Sequence, residues 1–117
     1  RMRQANIRTS AREVECMFSY WREHSTLIVR IETELDQRAA AQIRGELDGL
    51  LRDPMIRHLV LDLSGITFMD SSGIGLIIGR YKLLAKRGGS VSVKNADARV
   101  NRIFEMSGLY RIVDRMA

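Results

Sequence analysis

The chain is 117 residues long, with 45% hydrophobic and 28% charged residues and a formal net charge of +5. That length allows one domain with a single core, and that composition is globular, which excludes fibrous, disordered and disulfide-scaffold classes. The basic residues are mostly arginines scattered from Arg1 to Arg115 without interleaved aromatics, so they are read as a solvated face and not as a nucleic-acid surface.

Residues 1–13 carry few large apolar groups and are expected to form a polar N-terminal extension, partly helical, ahead of a domain over 14–117. They show no signal-peptide pattern. From Val14 the residues favour a pleated surface, with Met17, Phe18, Tyr20 and Trp21 in close succession. Cys16 is the single cysteine; it cannot pair internally and fits a reducing compartment. The polar turn Glu23-His24-Ser25-Thr26 then leads into an apolar strand over Leu27–Ile31, which predicts a hairpin.

Asp36 is placed to cap a helix over Gln37–Arg52, whose Ala40, Ile43, Leu47, Leu50 and Leu51 recur at helical spacing. Asp53-Pro54 ends it, because the residue before proline leaves the helical region. His58–Leu63 reads as a strand of the kind buried in a parallel sheet. A helix follows from Ser71 to Lys86, closed by Gly88-Gly89, and then a strand at Val91–Val93. Ala98–Met106 is a third helix ended by Ser107-Gly108, and Arg111–Val113 is the last strand. The order β-β-α-β-α-β-α-β predicts an α/β fold with one mixed, mainly parallel sheet and an antiparallel edge strand, packed with helices.

Candidate chemistry is sparse. His24 and His58 lack a nucleophile with an orienting partner, and no Gly-x-Ser-x-Gly elbow is present, so no enzyme is expected. Two histidines and one cysteine have no metal-ligand spacing, so no metal is expected. The glycines Gly73, Gly75 and Gly79 miss the dinucleotide spacing by one residue, and no Gly-Lys-Ser/Thr follows them. A small nucleotide-binding domain is the rival reading from another class. Glycine inside a helix costs about 0.5–1 kcal/mol relative to alanine. Gly75 and Gly79 are therefore expected to permit close packing, on the sheet or on a partner. The apolar run Ile74–Ile78 is interrupted by glycine and too short to span a bilayer, so no membrane association is expected.

Asp70-Ser71-Ser72-Gly73 opens the second helix. Asp and Ser are favoured helix caps, but one of them suffices for capping. Three polar residues before a glycine make a small accessible tip. A phosphate on a serine there would add about −1.5 to −2 charges close to the helix amides.

The stretch Phe68-Met69-Asp70-Ser71-Ser72-Gly73-Ile74-Gly75 resembles the signature of STAS domains, the anti-sigma factor antagonist family, and is closest to its sporulation (sigma F) branch. Ile56–Leu61, Gly79-Arg80-Tyr81-Lys82, Phe104–Leu109 and Glu34-Leu35-Asp36 extend the resemblance over residues 14–115, with Thr33 where the family usually has glycine. The resemblance implies a STAS fold and a partner-switching protein that is a kinase substrate and not an enzyme. Unphosphorylated, it would bind an anti-sigma factor that is also a serine kinase and so release the sigma factor. ATP-dependent phosphorylation of Ser71 would block that binding, and a PP2C-type phosphatase would reverse it. Glu34, Asp36, Asp70, Ser71, Ser72, Gly73, Ile74 and Arg80 map onto the partner-binding surface. No cofactor and no direct nucleic-acid contact are implied, and the location would be cytoplasmic. General stress-response antagonists and transporter-associated STAS modules are the alternatives within the fold.

Overall fold

The computed structural model describes residues 3–8 and 14–116, and over them the chain forms six strands and three helices. In chain order these are β1 (Arg3–Arg8), β2 (Val14–Glu23), β3 (Thr26–Ile31), α1 (Gln37–Leu50), β4 (His58–Asp62), α2 (Ser71–Ala85), β5 (Ser90–Lys94), α3 (Ala98–Ser107) and β6 (Asp114–Arg115), with a 3₁₀ turn at Leu109–Arg111. One sheet contains all six strands in the order β1-β2-β3-β4-β5-β6. The β1–β2 and β2–β3 ladders are antiparallel, and the other three are parallel. From Val14 onward this is the order expected from the sequence.

Three expectations need correction. Part of the expected N-terminal extension belongs to the sheet: Arg3–Arg8 pairs with β2, and Ala5 is buried opposite Phe18. A strand on the sheet edge needs few apolar side chains, because the partner backbone supplies its hydrogen bonds. Residues 9–13 lie outside the described residues. At the other end, the strand expected at Arg111–Val113 is displaced to Asp114–Arg115. Gly108 ends α3 with a left-handed φ of 76° and the chain turns back, with the Ile112 and Val113 amides both donating to the Leu109 carbonyl at 3.0 Å. Leu109 and Val113 are apolar because the turn itself is buried. Finally, β4 is not buried on both faces, since only Leu59 and Leu61 are shielded along it.

The core follows from strand alternation. Leu27, Val29 and Ile31, then Leu59 and Leu61, then Val91 and Val93 face one side of the sheet. They join Ile43 and Leu47 of α1, Leu76, Ile77 and Leu84 of α2, and Val100 and Phe104 of α3 in one hydrophobic cluster. Each such burial contributes about 1.5–3 kcal/mol before entropy is counted. The alternate positions form the other face, where Ile28, Val60 and Ser92 share a half-buried row.

The end of α1 is held by a residue distant in sequence. Arg87, just past α2, donates to the carbonyls of Leu51 (2.6 Å), Ile56 (3.0 Å) and Asp53 (3.2 Å). One guanidinium thus serves the Leu51 and Ile56 carbonyls beyond the helix end and adds a second donor to the Asp53 carbonyl, which already accepts from the Ile56 amide at 3.1 Å.

Candidate functional site

Parallel β3 and β4 deliver their following loops, residues 32–36 and 63–70, to the same end of the sheet, where α1 and α2 begin. A parallel bridge between Leu35 and Met69 ties the two loops together. The Glu34 carboxylate strengthens the tie by accepting from the Thr67 amide (3.0 Å), the Thr67 hydroxyl (2.7 Å) and the Phe68 amide (3.1 Å). The Thr67 hydroxyl is the main cause that holds the Glu34 carboxyl below its ordinary pKa, with the two amides adding to it against some desolvation. Thr33 needs no glycine-like backbone, because among the described non-glycine residues only His24 and Asn95 have positive φ.

Each loop ends in an aspartate cap. Asp36 accepts from the Ala39 amide at 2.8 Å and opens α1. Asp70 accepts from the Ser72 amide at 2.8 Å and opens α2. The structure therefore brings Glu34, Asp36, Asp70, Ser71 and Ser72 to one tip. Ser71 is the first residue of α2, is exposed, and its hydroxyl makes no hydrogen bond among the described residues. Ser72 is half-buried and lines a groove of 370 Å³ between the two helices, together with Gln37, Ala40, Ala41, Arg44, Gly75 and Leu76.

The glycines divide into two kinds. A Cβ on Gly73 would lie 2.4 Å from Met69 Cγ and 3.1 Å from Leu35 Cβ, so its absence lets α2 seat directly on the loop bridge. Cβ atoms on Gly75 and Gly79 would meet nothing within 4 Å. The expected close packing of these two on the sheet is thus not found, because their Cβ directions point into open space while Leu76 and Ile77 between them are buried. Ile74 is half-buried beside them.

Arg80 departs further from the expectation. Its side chain is 10% exposed and turns toward α1, with Nε 3.1 Å from Asp48 Oδ1. It is not part of the tip: it lies nine positions along α2 from Ser71, where each residue advances the helix by about 1.5 Å. Conversely, Phe68 was absent from the sequence-derived set, yet it stands 47% exposed, three residues before Ser71, on backbone held by Glu34. No local signal set it apart, because Leu63, Ile66 and Met69 of the same loop are also apolar and are buried. Among the described residues no group of three His, Cys, Asp or Glu side chains is placed to hold a metal, and no helix is long and apolar enough to cross a membrane.

A family model for the STAS domain matches residues 20–117. An anti-sigma F factor antagonist from Paenibacillus polymyxa is 41% identical over 87 residues, which are 74% of each chain. The chain belongs to the STAS-domain family of anti-sigma factor antagonists. It is a regulatory binding protein of that family and not an enzyme. Among solved structures, the unphosphorylated form of the anti-sigma factor antagonist SpoIIAA superposes with a TM-score of 0.75 at 28% identity, covering 86% of this STAS domain's chain and 88% of SpoIIAA. The phosphorylated form of the Bacillus cell fate determinant SpoIIAA superposes with a TM-score of 0.68 at 27% identity, covering 86% and 91%. In this STAS domain Thr33 adopts no positive φ, so its backbone does not call for glycine.

Proposed function

We propose that the tip formed by Asp36, Asp70 and Ser71 is the switch of a partner-switching protein acting in the cytoplasm. The unphosphorylated form binds an anti-sigma factor that is itself a serine kinase, and the displaced sigma factor, of the sporulation sigma F type, is released. The kinase phosphorylates Ser71 at the expense of ATP, and a PP2C-type phosphatase restores the binding form. The observation that carries this reading is the exposed, unbonded Ser71 hydroxyl at the start of α2, beside three carboxylates. That a similar antagonist exists in phosphorylated and unphosphorylated forms supports it.

The physical logic is electrostatic. Ser71 lies next to Asp70, with Glu34 and Asp36 held on the same tip, so a phosphate concentrates negative charge where a partner must desolvate the surface. A charge buried without a partner at an interface costs more than a neutral hydroxyl. Glu34, Asp36, Asp70, Ser71, Ser72 and Ile74 compose the docking surface. Gly73 shapes it from beneath, and Arg80 stands apart on the flank. Incubation with the kinase and ATP followed by peptide mass spectrometry is expected to place one phosphate on Ser71; a phosphate elsewhere overturns the assignment.

Gly75 offers a second test of where the partner sits. An exposed helix position held by glycine is destabilising by about 0.5–1 kcal/mol relative to alanine. Gly75→Ala is therefore expected to raise the unfolding free energy by that amount while weakening kinase binding, because the methyl group stands on the docking groove. Calorimetry and a binding isotherm on the same variant check the pair, and unchanged affinity would move the partner off this face.

A further inference from the structure

The seam between α1 and α2 contains a second cleft, past the Ser72 groove and remote from the tip. It has a volume of 280 Å³ and is lined by Asp48, Leu51, Arg52, Arg80, Leu83 and Arg87. Arg80 is the unusual member. Its side chain is nine-tenths buried, and although Nε lies 3.1 Å from Asp48 Oδ1, neither Nε nor Nη1 has a well-directed hydrogen bond among the described residues. Asp48 Oδ1, the oxygen facing Nε, is itself buried without a well-directed hydrogen bond, while the Asp48 side chain as a whole is 44% exposed, so the carboxylate compensates the buried guanidinium only in part. An unsatisfied buried N–H on a charged group is costly, and the state that removes the cost is one in which an acceptor enters the cleft.

The charge balance indicates the kind of acceptor. Arg52 and Arg80 face one carboxylate, that of Asp48, which leaves one positive charge before Arg44 is counted. Arg87 has committed its Nη atoms to backbone carbonyls and its charge is faced by the Asp53 carboxylate, so it adds neither directional bonds nor uncompensated charge. Arg44, one turn before Asp48, adds further positive potential at Arg80. Leu51 and Leu83 form apolar walls, which keep the local dielectric low and strengthen the attraction for an anion. With Arg44 counted, a carboxylate would neutralise half of the excess, whereas a phosphate dianion matches it and has enough oxygens for both Arg80 and Arg52.

We propose that this cleft is a binding site for a phosphate-class dianion, free or as a phosphomonoester, held by Arg80 and Arg52. The site is separate from the Ser71 switch and does not depend on that reading.

The test titrates inorganic phosphate into the full chain at constant ionic strength, following the Arg80 Nε–Hε resonance and the melting temperature. The expected result is a saturable resonance shift and a rise in Tm that chloride and acetate do not reproduce. Asp48→Asn, which removes the competing carboxylate, is expected to tighten phosphate binding about tenfold. Arg52→Ala is expected to weaken it about tenfold. Both residues are at least partly exposed, so both variants remain informative where Arg80→Gln fails to fold. Glycerol 3-phosphate distinguishes the sources: tighter binding than inorganic phosphate indicates a phosphomonoester, and equal or weaker binding indicates the free ion. A response to acetate equal to that for phosphate, or a phosphate response that neither substitution moves, overturns the proposal.

Discussion

A Ser71→Asp variant is expected to bind the anti-sigma kinase proposed as its partner at least about tenfold more weakly than the parent chain, a loss of about 1.4 kcal/mol. The substitution places a permanent carboxylate on the first residue of α2, beside the Asp70 cap and on the same tip as Glu34 and Asp36. The amide best placed to compensate it, that of Ser72, already serves Asp70 at 2.8 Å. Ser71→Ala is expected to keep full binding and to resist phosphorylation, because it removes the acceptor oxygen and adds no charge. Neither variant should disturb the fold. The Ser71 hydroxyl makes no internal hydrogen bond, and exposed substitutions of this kind are usually within about 0.5 kcal/mol of the parent. An aspartate at a helix start is, if anything, favoured by the backbone dipole. Isothermal titration with the kinase, alongside thermal melts, separates the two effects. Parent-like affinity for Ser71→Asp with a parent-like melt would remove Ser71 from the switch.

The largest loss of stability from a single methyl group is expected at Gly89. A Cβ there would stand 1.7 Å from the Arg57 carbonyl oxygen and 2.7 Å from its carbon. The strands cannot yield easily, since the same oxygen accepts from the Ser90 amide at 3.0 Å, and the Arg57 amide donates to Ser25 at 2.9 Å. Gly89 itself closes α2 by donating to Leu84 at 2.9 Å. Gly89→Ala must therefore break the start of the β4–β5 ladder or the end of α2, and a cost of about 3 kcal/mol or more is expected. Its neighbour provides the control. Gly88 has a left-handed φ of 73° but nothing within 4 Å of its missing Cβ. Gly88→Ala should cost only about 1–2 kcal/mol of backbone strain. Urea denaturation of the pair tests the ordering, and equal losses would contradict the close approach at Arg57.

That pair shows where sequence reading stops. Adjacent glycines after an amphipathic run announce a helix end, and the helix does end there. That one glycine turns the chain while the other makes room for a carbonyl 32 positions earlier is a fact about strand pairing. Arg87 is similar. In sequence it is one more scattered arginine, and only the proximity of the α2 and α1 termini turns it into a clamp on Leu51, Asp53 and Ile56.

Local patterns carried a great deal. Local signals located α1, α2 and α3 to within two residues, because the helical spacing of α1, the polar starts of α1 and α2 and the glycines that follow α2 and α3 are properties of neighbours in the chain. The Asp70-Ser71-Ser72-Gly73 tip was legible for the same reason, since a cap, an exposed hydroxyl and a glycine are all local. The edge strand Arg3–Arg8 was not legible, as its stability comes from backbone pairing with β2 and leaves little mark on side-chain composition. Nor was the position of Arg80, where burial depends on how closely α2 lies against Asp48 of α1. What the order of residues determined was the three helices, the strands from Val14 to Lys94 and the serine that opens α2. What the tertiary structure alone decided was which loops meet around that serine and which way the α2 side chains turn, because these depend on contacts between segments dozens of residues apart.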